Sequence, residues 1–142
     1  MRGLVILGLL LALVVPGAAR AAEPSLDSIP LPPSDRVFLE QTLSVSNAGT
    51  NADLSVPQPA RLSIDVAIEP GKQVVLMVIT KAQWEAASAG KKPEGSPLLR
   101  TTLDGVHTQS VSVDPGDYVM AVFAVEKEGR TQVMVRAHAG QR

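Results

Sequence analysis

The chain has 142 residues, a formal net charge of −1, no Cys and 2 His, and only 3% of its residues are aromatic. A near-neutral chain with scattered Lys and Arg lacks the basic footprint that nucleic acid requires. Phe38, Trp84, Tyr118 and Phe123 are too few for base-stacking platforms or an aromatic sugar-binding face, and a chain without Cys must draw its stability from its core rather than from disulfides.

Arg2 supplies a positive n-region, Gly3 to Val15 an apolar h-region, and Ala19-Arg20-Ala21 a small-x-small cleavage pattern. This is the pattern of a secretory signal peptide over residues 1–21, with the mature chain starting at Ala22. The apolar run falls short of the roughly 20 residues of a spanning helix, so a retained N-terminal anchor ranks second. A periplasmic or secreted protein is expected, with no stable membrane span once the leader is removed. Residues 22–35, with Pro24, Pro30, Pro32 and Pro33, read as a flexible, extended Pro-rich linker. Residues 36–139 read as one domain, and 140–142 as a tail, with fraying expected from Ala139.

Within the domain the dominant period is two. Val37, Leu39, Leu43 and Val45 share a parity that Phe38 interrupts. Asn47 to Asn51 is a turn-rich loop, and Asp53 to Pro57 a short edge segment, since Pro57 and Pro59 bar it from a sheet centre. In Ala60 to Glu69, Leu62, Ile64, Val66 and Ile68 face one way and Ser63, Asp65, Ala67 and Glu69 the other, which predicts one face in the core and one in water. Val74 to Ile79 is apolar at both parities and predicts a central strand. From Thr80 to Gly90 the period changes: Thr80 with Gln83 fits a capping box, and a helix of two turns is predicted, held by Trp84 and Ala87. Lys91 to Pro97 is a polar loop. Leu98 to Leu103 and Val106 to Val113 flank Asp104-Gly105, a hairpin signal. Tyr118 to Val125 and Thr131 to His138 complete the set. The prediction is an all-β, antiparallel β-sandwich of seven or eight strands with jelly-roll or Greek-key wiring and one short helix.

Two turns, Glu69-Pro70-Gly71-Lys72 and Asp114-Pro115-Gly116-Asp117, fit type II. Type II twists against a hairpin, so at least one of them should carry the chain from one sheet to the other.

Little in the sequence supports catalysis. There is no Cys, no G-x-S-x-G, no H-E-x-x-H and no phosphate loop. His107 and His138 read as solvated strand residues, and Asp65 and Glu69 as members of a solvated sheet face rather than a hydrolytic pair. No catalytic or cofactor-binding residue is assigned, and no cofactor is expected. Zinc would need more ligands than two separated His provide. Calcium takes carboxylate oxygens, and Asp104, Asp114 and Asp117 in loops form the one alternative metal set, although Asp is also the ordinary starter of turns. Trp84 reads as the anchor of its own helix rather than a stacking residue.

The run D-P-G-D-Y-V-M at Asp114 to Met120 resembles the D-x-G-x-Y-x-C signature of immunoglobulin-like domains, with Met120 at the Cys position. In those domains the Tyr hydroxyl ties a corner between sheets to the backbone; Tyr118 would take that part. The buried Trp strand of such domains is missing. Leu62 to Val78 and Asp114 to Phe123 are more similar to bacterial prepeptidase-type C-terminal domains and their jelly-roll relatives, which show an x-V-x-V-x-x-G-K-x-V-x-L strand pair and a late P-G-x-Y-x-L/M-x-V strand. The resemblance implies a secreted, non-catalytic accessory module with a binding or structural role, its partner an unidentified protein or extracellular ligand and not nucleic acid. A calcium- or glycan-binding module ranks second and a hydrolase last. With the Val111 to Val125 stretch read as structural, the loops at Asn47 to Asn51 and Lys91 to Gly95 become the places to look for function.

Overall fold

The structure is a computed structural model that describes residues 24–140. The leader and its cleavage site lie outside the described residues. Eight strands follow in order: β1 (Asp35–Val45), β2 (Thr50–Val56), β3 (Ala60–Ile68), β4 (Gln73–Thr80), β5 (Leu99–Asp104), β6 (Val106–Val113), β7 (Gly116–Ala124) and β8 (Thr131–Gly140). One helix, α1 (Lys81–Ser88), lies between β4 and β5.

The strands form two four-stranded antiparallel sheets, ordered β1-β8-β3-β6 and β2-β7-β4-β5. This is the jelly-roll arrangement, in which interlocked Greek keys wind a chain into a double sheet. Leu54, Leu62, Ile64, Leu76, Met120 and a set of Val residues from both sheets are fully buried between the layers. Period-two alternation places them there, because every second side chain of a strand reaches the same face.

Both Pro-Gly turns change sheets: Pro70-Gly71 leads from β3 to β4, and Asp114-Pro115 from β6 to β7. The Asp104-Gly105 hairpin does not form. β5 pairs with β4 and β6 pairs with β3, so this tight link also changes sheets. Gly105 has φ +70° and allows the reversal, but its carbonyl accepts from Ile68 N at 2.9 Å, which fastens it to β3 rather than to a β5–β6 ladder. The 127–130 connection likewise joins strands of different sheets. Only β4 and β5 are both consecutive and adjacent.

The capping box of α1 is present: Thr80 Oγ1 accepts from Gln83 N at 3.1 Å, and Gln83 Oε1 accepts from Thr80 N at 2.9 Å. The helix buries none of its residues; Trp84 is half-buried and Ala87 exposed, so Ala87 does not anchor it. Its short length and weak apolar face leave the cap and the adjoining strand to position it.

Three further expectations change. β4 is central, but Val75 and Met77 on its outer face are only half-buried. Ala139 is not frayed: it is 4% exposed and pairs with Arg36 in the last residues of β8. The middle of the outer face of β3 does not meet water, for Asp65 and Ala67 are both 0% exposed, although Arg61 and, in part, Ser63 on the same face are open to it. The Pro-rich stretch reaches this sheet. Leu26 is buried, and the Ile29 carbonyl accepts from Arg136 of β8. The flexible linker of the sequence reading is, from Pro24 to Ser34, a strap laid on the sheet.

Candidate functional site

Beneath the strap lies a cluster of charged side chains on the outer face of the β1-β8-β3-β6 sheet. Register brings them together. Asp65 of β3 lies opposite Arg136 of β8, Ser63 lies opposite His138, and Asp65 also lies opposite Thr108 of β6. Alternation turns Asp65, Arg136 and His138 to the face opposite Ile64, Val135 and Ala137.

Asp35 enters through a defect. The β1–β8 register slips between Val37 and Leu39, a β-bulge with Phe38 as the extra residue. Under strict alternation Asp35 and Val37 would share the core face with Leu43 and Val45. The bulge moves them to the outer face, which leaves Val37 36% exposed and sets Asp35 beside His138. Phe38 packs against the edge of the core, and the Arg36 guanidinium lies 5.2 Å from its ring centre.

Asp65 Oδ2 accepts from Arg136 Nε at 2.9 Å, forms an ion pair with Arg136 Nη2 at 2.8 Å, and lies 2.8 Å from His138 Nε2. Asp65 Oδ1 accepts from Thr108 Oγ1 at 2.8 Å. His138 Nδ1 lies 2.6 Å from Asp35 Oδ2. Arg136 Nη2 also donates to the Ile29 carbonyl at 2.9 Å. Among the described residues no buried side-chain polar atom is left without a partner.

An Asp-His pair invites a catalytic reading, which the geometry opposes. Both ring nitrogens of His138 are engaged by carboxylates, so neither is free to take a proton from a nucleophile or water, as a general base must. Among the described residues no Ser or Thr hydroxyl is bonded to the ring. A groove of about 160 Å³ lies between Arg36, Phe38, Pro57 and Pro59, and two wider depressions adjoin Lys81 with Asp117 and Lys72 with Glu126. None of the three is lined by Asp65, Glu69, His107 or His138.

The alternative calcium set is not brought together. Asp104 pairs with Gln73 at one end of the sandwich, while Asp114 and Asp117 lie at the other, beside Val56 and Thr80. Among the described residues no group of three or more His, Cys, Asp or Glu is placed to hold a metal ion. Asp114 acts through its backbone: its carbonyl accepts from the Tyr118 hydroxyl at 2.7 Å. Asp117 lies beside an exposed pair, Lys81 with Asp53 at 2.9 Å, in which the Asp53 hydrogen bond raises the Lys81 pKa above the ordinary lysine value. Glu69 is half-buried and accepts from Gln132 N at 3.0 Å, and His107 lies exposed near Asp104.

The two loops singled out by the sequence are occupied with their own structure. Asn47 Nδ2 donates to the Ala124 carbonyl at 2.8 Å. Gln83 Nε2 donates to the carbonyls of Glu94 at 2.9 Å and Ser96 at 3.2 Å. Among the described residues Val37, Val106 and Val125 are the exposed large apolar ones, and Val37 is at the opposite end of the sandwich from the other two, so these three form no continuous patch.

Among solved structures, this chain is similar to the pre-peptidase C-terminal domain of a collagenase from Bacillus anthracis. The TM-score is 0.53 at 12% identity, and the match covers 70% of this chain and 89% of that one. The fold is similar to that of a pre-peptidase C-terminal domain. At this identity the likeness is one of fold alone, and it agrees with the resemblance carried by Leu62 to Val78 and Asp114 to Phe123. No family model and no curated protein matches the chain.

Proposed function

We propose that the chain is an exported, non-catalytic accessory module that acts by binding or structural support outside the cytoplasm, in the periplasm or beyond. Three features support this reading: the leader pattern of residues 1–21, the jelly-roll fold with its likeness to a pre-peptidase C-terminal domain, and the lack of any helix among the described residues long and apolar enough to cross a membrane. The observation that carries it is the saturation of the Asp65–His138–Arg136 cluster. Its polar atoms bond one another and the strap, so the most reactive group of side chains in the domain is spent on the fold.

The test expresses the full chain in a Gram-negative host and assays the recovered protein on chromogenic peptide, ester and glycoside substrates. The expected result is a protein outside the cytoplasm that begins at Ala22 and turns over none of them. An intact Met1 overturns export, and turnover abolished by His138→Ala overturns the non-catalytic assignment.

A further inference from the structure

Among the described residues each sheet ends in two edge strands, β1 and β6 in one and β2 and β5 in the other. An open edge offers unpaired backbone groups to any other strand, and proteins blunt such edges with charge, Pro, bulges or short length. Three of these edges carry such devices. β1 holds Asp35, Arg36 and Glu40 and is bulged at Phe38. β2 holds Asp53 and runs into Pro57 and Pro59, and β5 is 6 residues long with Arg100 and Asp104. β6 differs from all three. Its sequence, V-H-T-Q-S-V-S-V, contains no Asp, Glu, Lys, Arg or Pro, and its pairing with β3 runs without a bulge. We infer that β6 pairs antiparallel with the β6 of a second copy of this chain, joining the two β1-β8-β3-β6 sheets into one.

The existing ladder fixes which backbone groups are on offer. Ile68 N donates to the Gly105 carbonyl at 2.9 Å, and Glu69 N to the Gln132 carbonyl of β8 at 3.0 Å. Even-numbered residues of β3 therefore bond toward β6 and odd-numbered ones toward β8, because the direction alternates along a strand. Across the register, His107, Gln109, Val111 and Val113 bond to β3. Val106, Thr108, Ser110 and Ser112 then turn their N–H and C=O groups away from the sheet. All four residues are exposed, and Val106, at 45%, is the most open large apolar side chain among the described residues.

One register of self-pairing uses every one of these groups. With Gln109 opposite Gln109 of the second copy, Val106 faces Ser112 and Thr108 faces Ser110, and these become the hydrogen-bonded pairs of the new ladder. A slip in either direction leaves an outward residue at one end without a partner. The Thr108–Ser110 pairs add cross-strand hydroxyl contacts. The lack of charge is what favours a second copy over a different chain. A two-fold axis at Gln109 sets the strand against its own side chains, where like charges directly opposite would repel. A different chain would instead draw register and selectivity from complementary charge, and β6 offers it none.

Pairing through one strand buries little surface and makes a transient dimer, so the protein recovered from full-chain expression is sedimented from about 10 μM to about 1 mM. The expected result is a dimer at the upper end. Hydrogen-exchange protection of the Thr108, Ser110 and Ser112 amides should rise about threefold or more across that range by mass action, with β7 amides unchanged. Ser110→Lys places a charge at an exposed outward position and leaves the β3 ladder untouched. It should stay monomeric throughout, with an unaltered melting temperature in dilute solution. Gln109→Cys gives the chain its one thiol, set about 4.5 Å from its counterpart between Cα atoms, within disulfide reach. Oxidation should link it into dimers several-fold faster than Ser112→Cys, which is more exposed but lies opposite Val106. A monomer at the highest concentration overturns the pairing, as does a dimer that Ser110→Lys leaves intact. Protection of the outward amides in a sample without dimer would assign the edge to a different chain and overturn it too. Equal oxidation of the two Cys variants is the fourth contrary result.

Discussion

The Tyr118 hydroxyl donates to the Asp114 carbonyl at 2.7 Å, and the two residues bracket the turn that carries the chain from β6 in one sheet to β7 in the other. The bond ties a turn to the strand that leaves it and so fixes the angle at which β7 enters its sheet. Tyr118→Phe keeps the buried ring and removes only the donor. It should lower stability by about 1 kcal/mol, measured by urea denaturation, with the slope of the transition unchanged.

Asp65 should be the most sensitive charged residue in the chain. Asp65→Ala leaves Arg136 and His138 buried without their shared acceptor. Removing one partner of a buried pair costs about 3–5 kcal/mol, a large part of the roughly 5–15 kcal/mol that holds a domain together. Asp104→Ala, at an exposed site, should change stability by less than about 0.5 kcal/mol. Equal effects of the two substitutions in thermal or chemical melts would contradict the burial of the cluster.

Gly49 has φ +93°, and a Cβ built there would overlap the Phe123 ring. Gly49→Ala should therefore cost about 1–3 kcal/mol through overpacking, added to the strain of a side chain at positive φ. In a Phe123→Ala background the overlap is gone, and the cost of the Gly49 change should shrink. A double-mutant cycle measures the difference.

Calcium should leave the melting temperature unchanged up to millimolar concentration, because Asp104 lies at the opposite end of the sandwich from Asp114 and Asp117. A calcium-dependent rise that Asp114→Asn removes would contradict this.

Thr80→Ala removes the side-chain half of the capping box and should cost about 1 kcal/mol. Since α1 buries none of its residues, the loss should appear first as reduced helicity at Lys81 to Ser88, read by amide exchange, rather than as global unfolding.

The fold was legible wherever structure is local. Alternation at Leu62 to Ile68, the capping box at Thr80 and Gln83, and the turn at Pro70-Gly71 all act within a few residues, and each is found in the structure. Asp114 to Asp117 is not a type II turn, because Gly116 has φ +157° and already belongs to β7. Pairing was not legible. Asp104-Gly105 has hairpin chemistry, yet the neighbours of β5 and β6 are set by packing between sheets. The charged cluster escaped for the same reason: Asp65 is 71 residues from Arg136, and Asp35 is 103 from His138. A trace was present in Asp65, Arg136 and His138, complementary charges at outward positions of strongly apolar strands. Nothing local showed that β3 and β8 are neighbours, or that a bulge at Phe38 would turn Asp35 to meet them.

The wiring also governs how the domain comes into being. β1, the first strand, finds its only ladder partner in β8, the last. β2 likewise pairs only with β7, so neither opening strand can join a sheet until most of the chain exists. Contacts of such long range make folding slow. A polypeptide emerging N-terminus first thus keeps β2 unpaired until β7 arrives and β1 unpaired until β8 does.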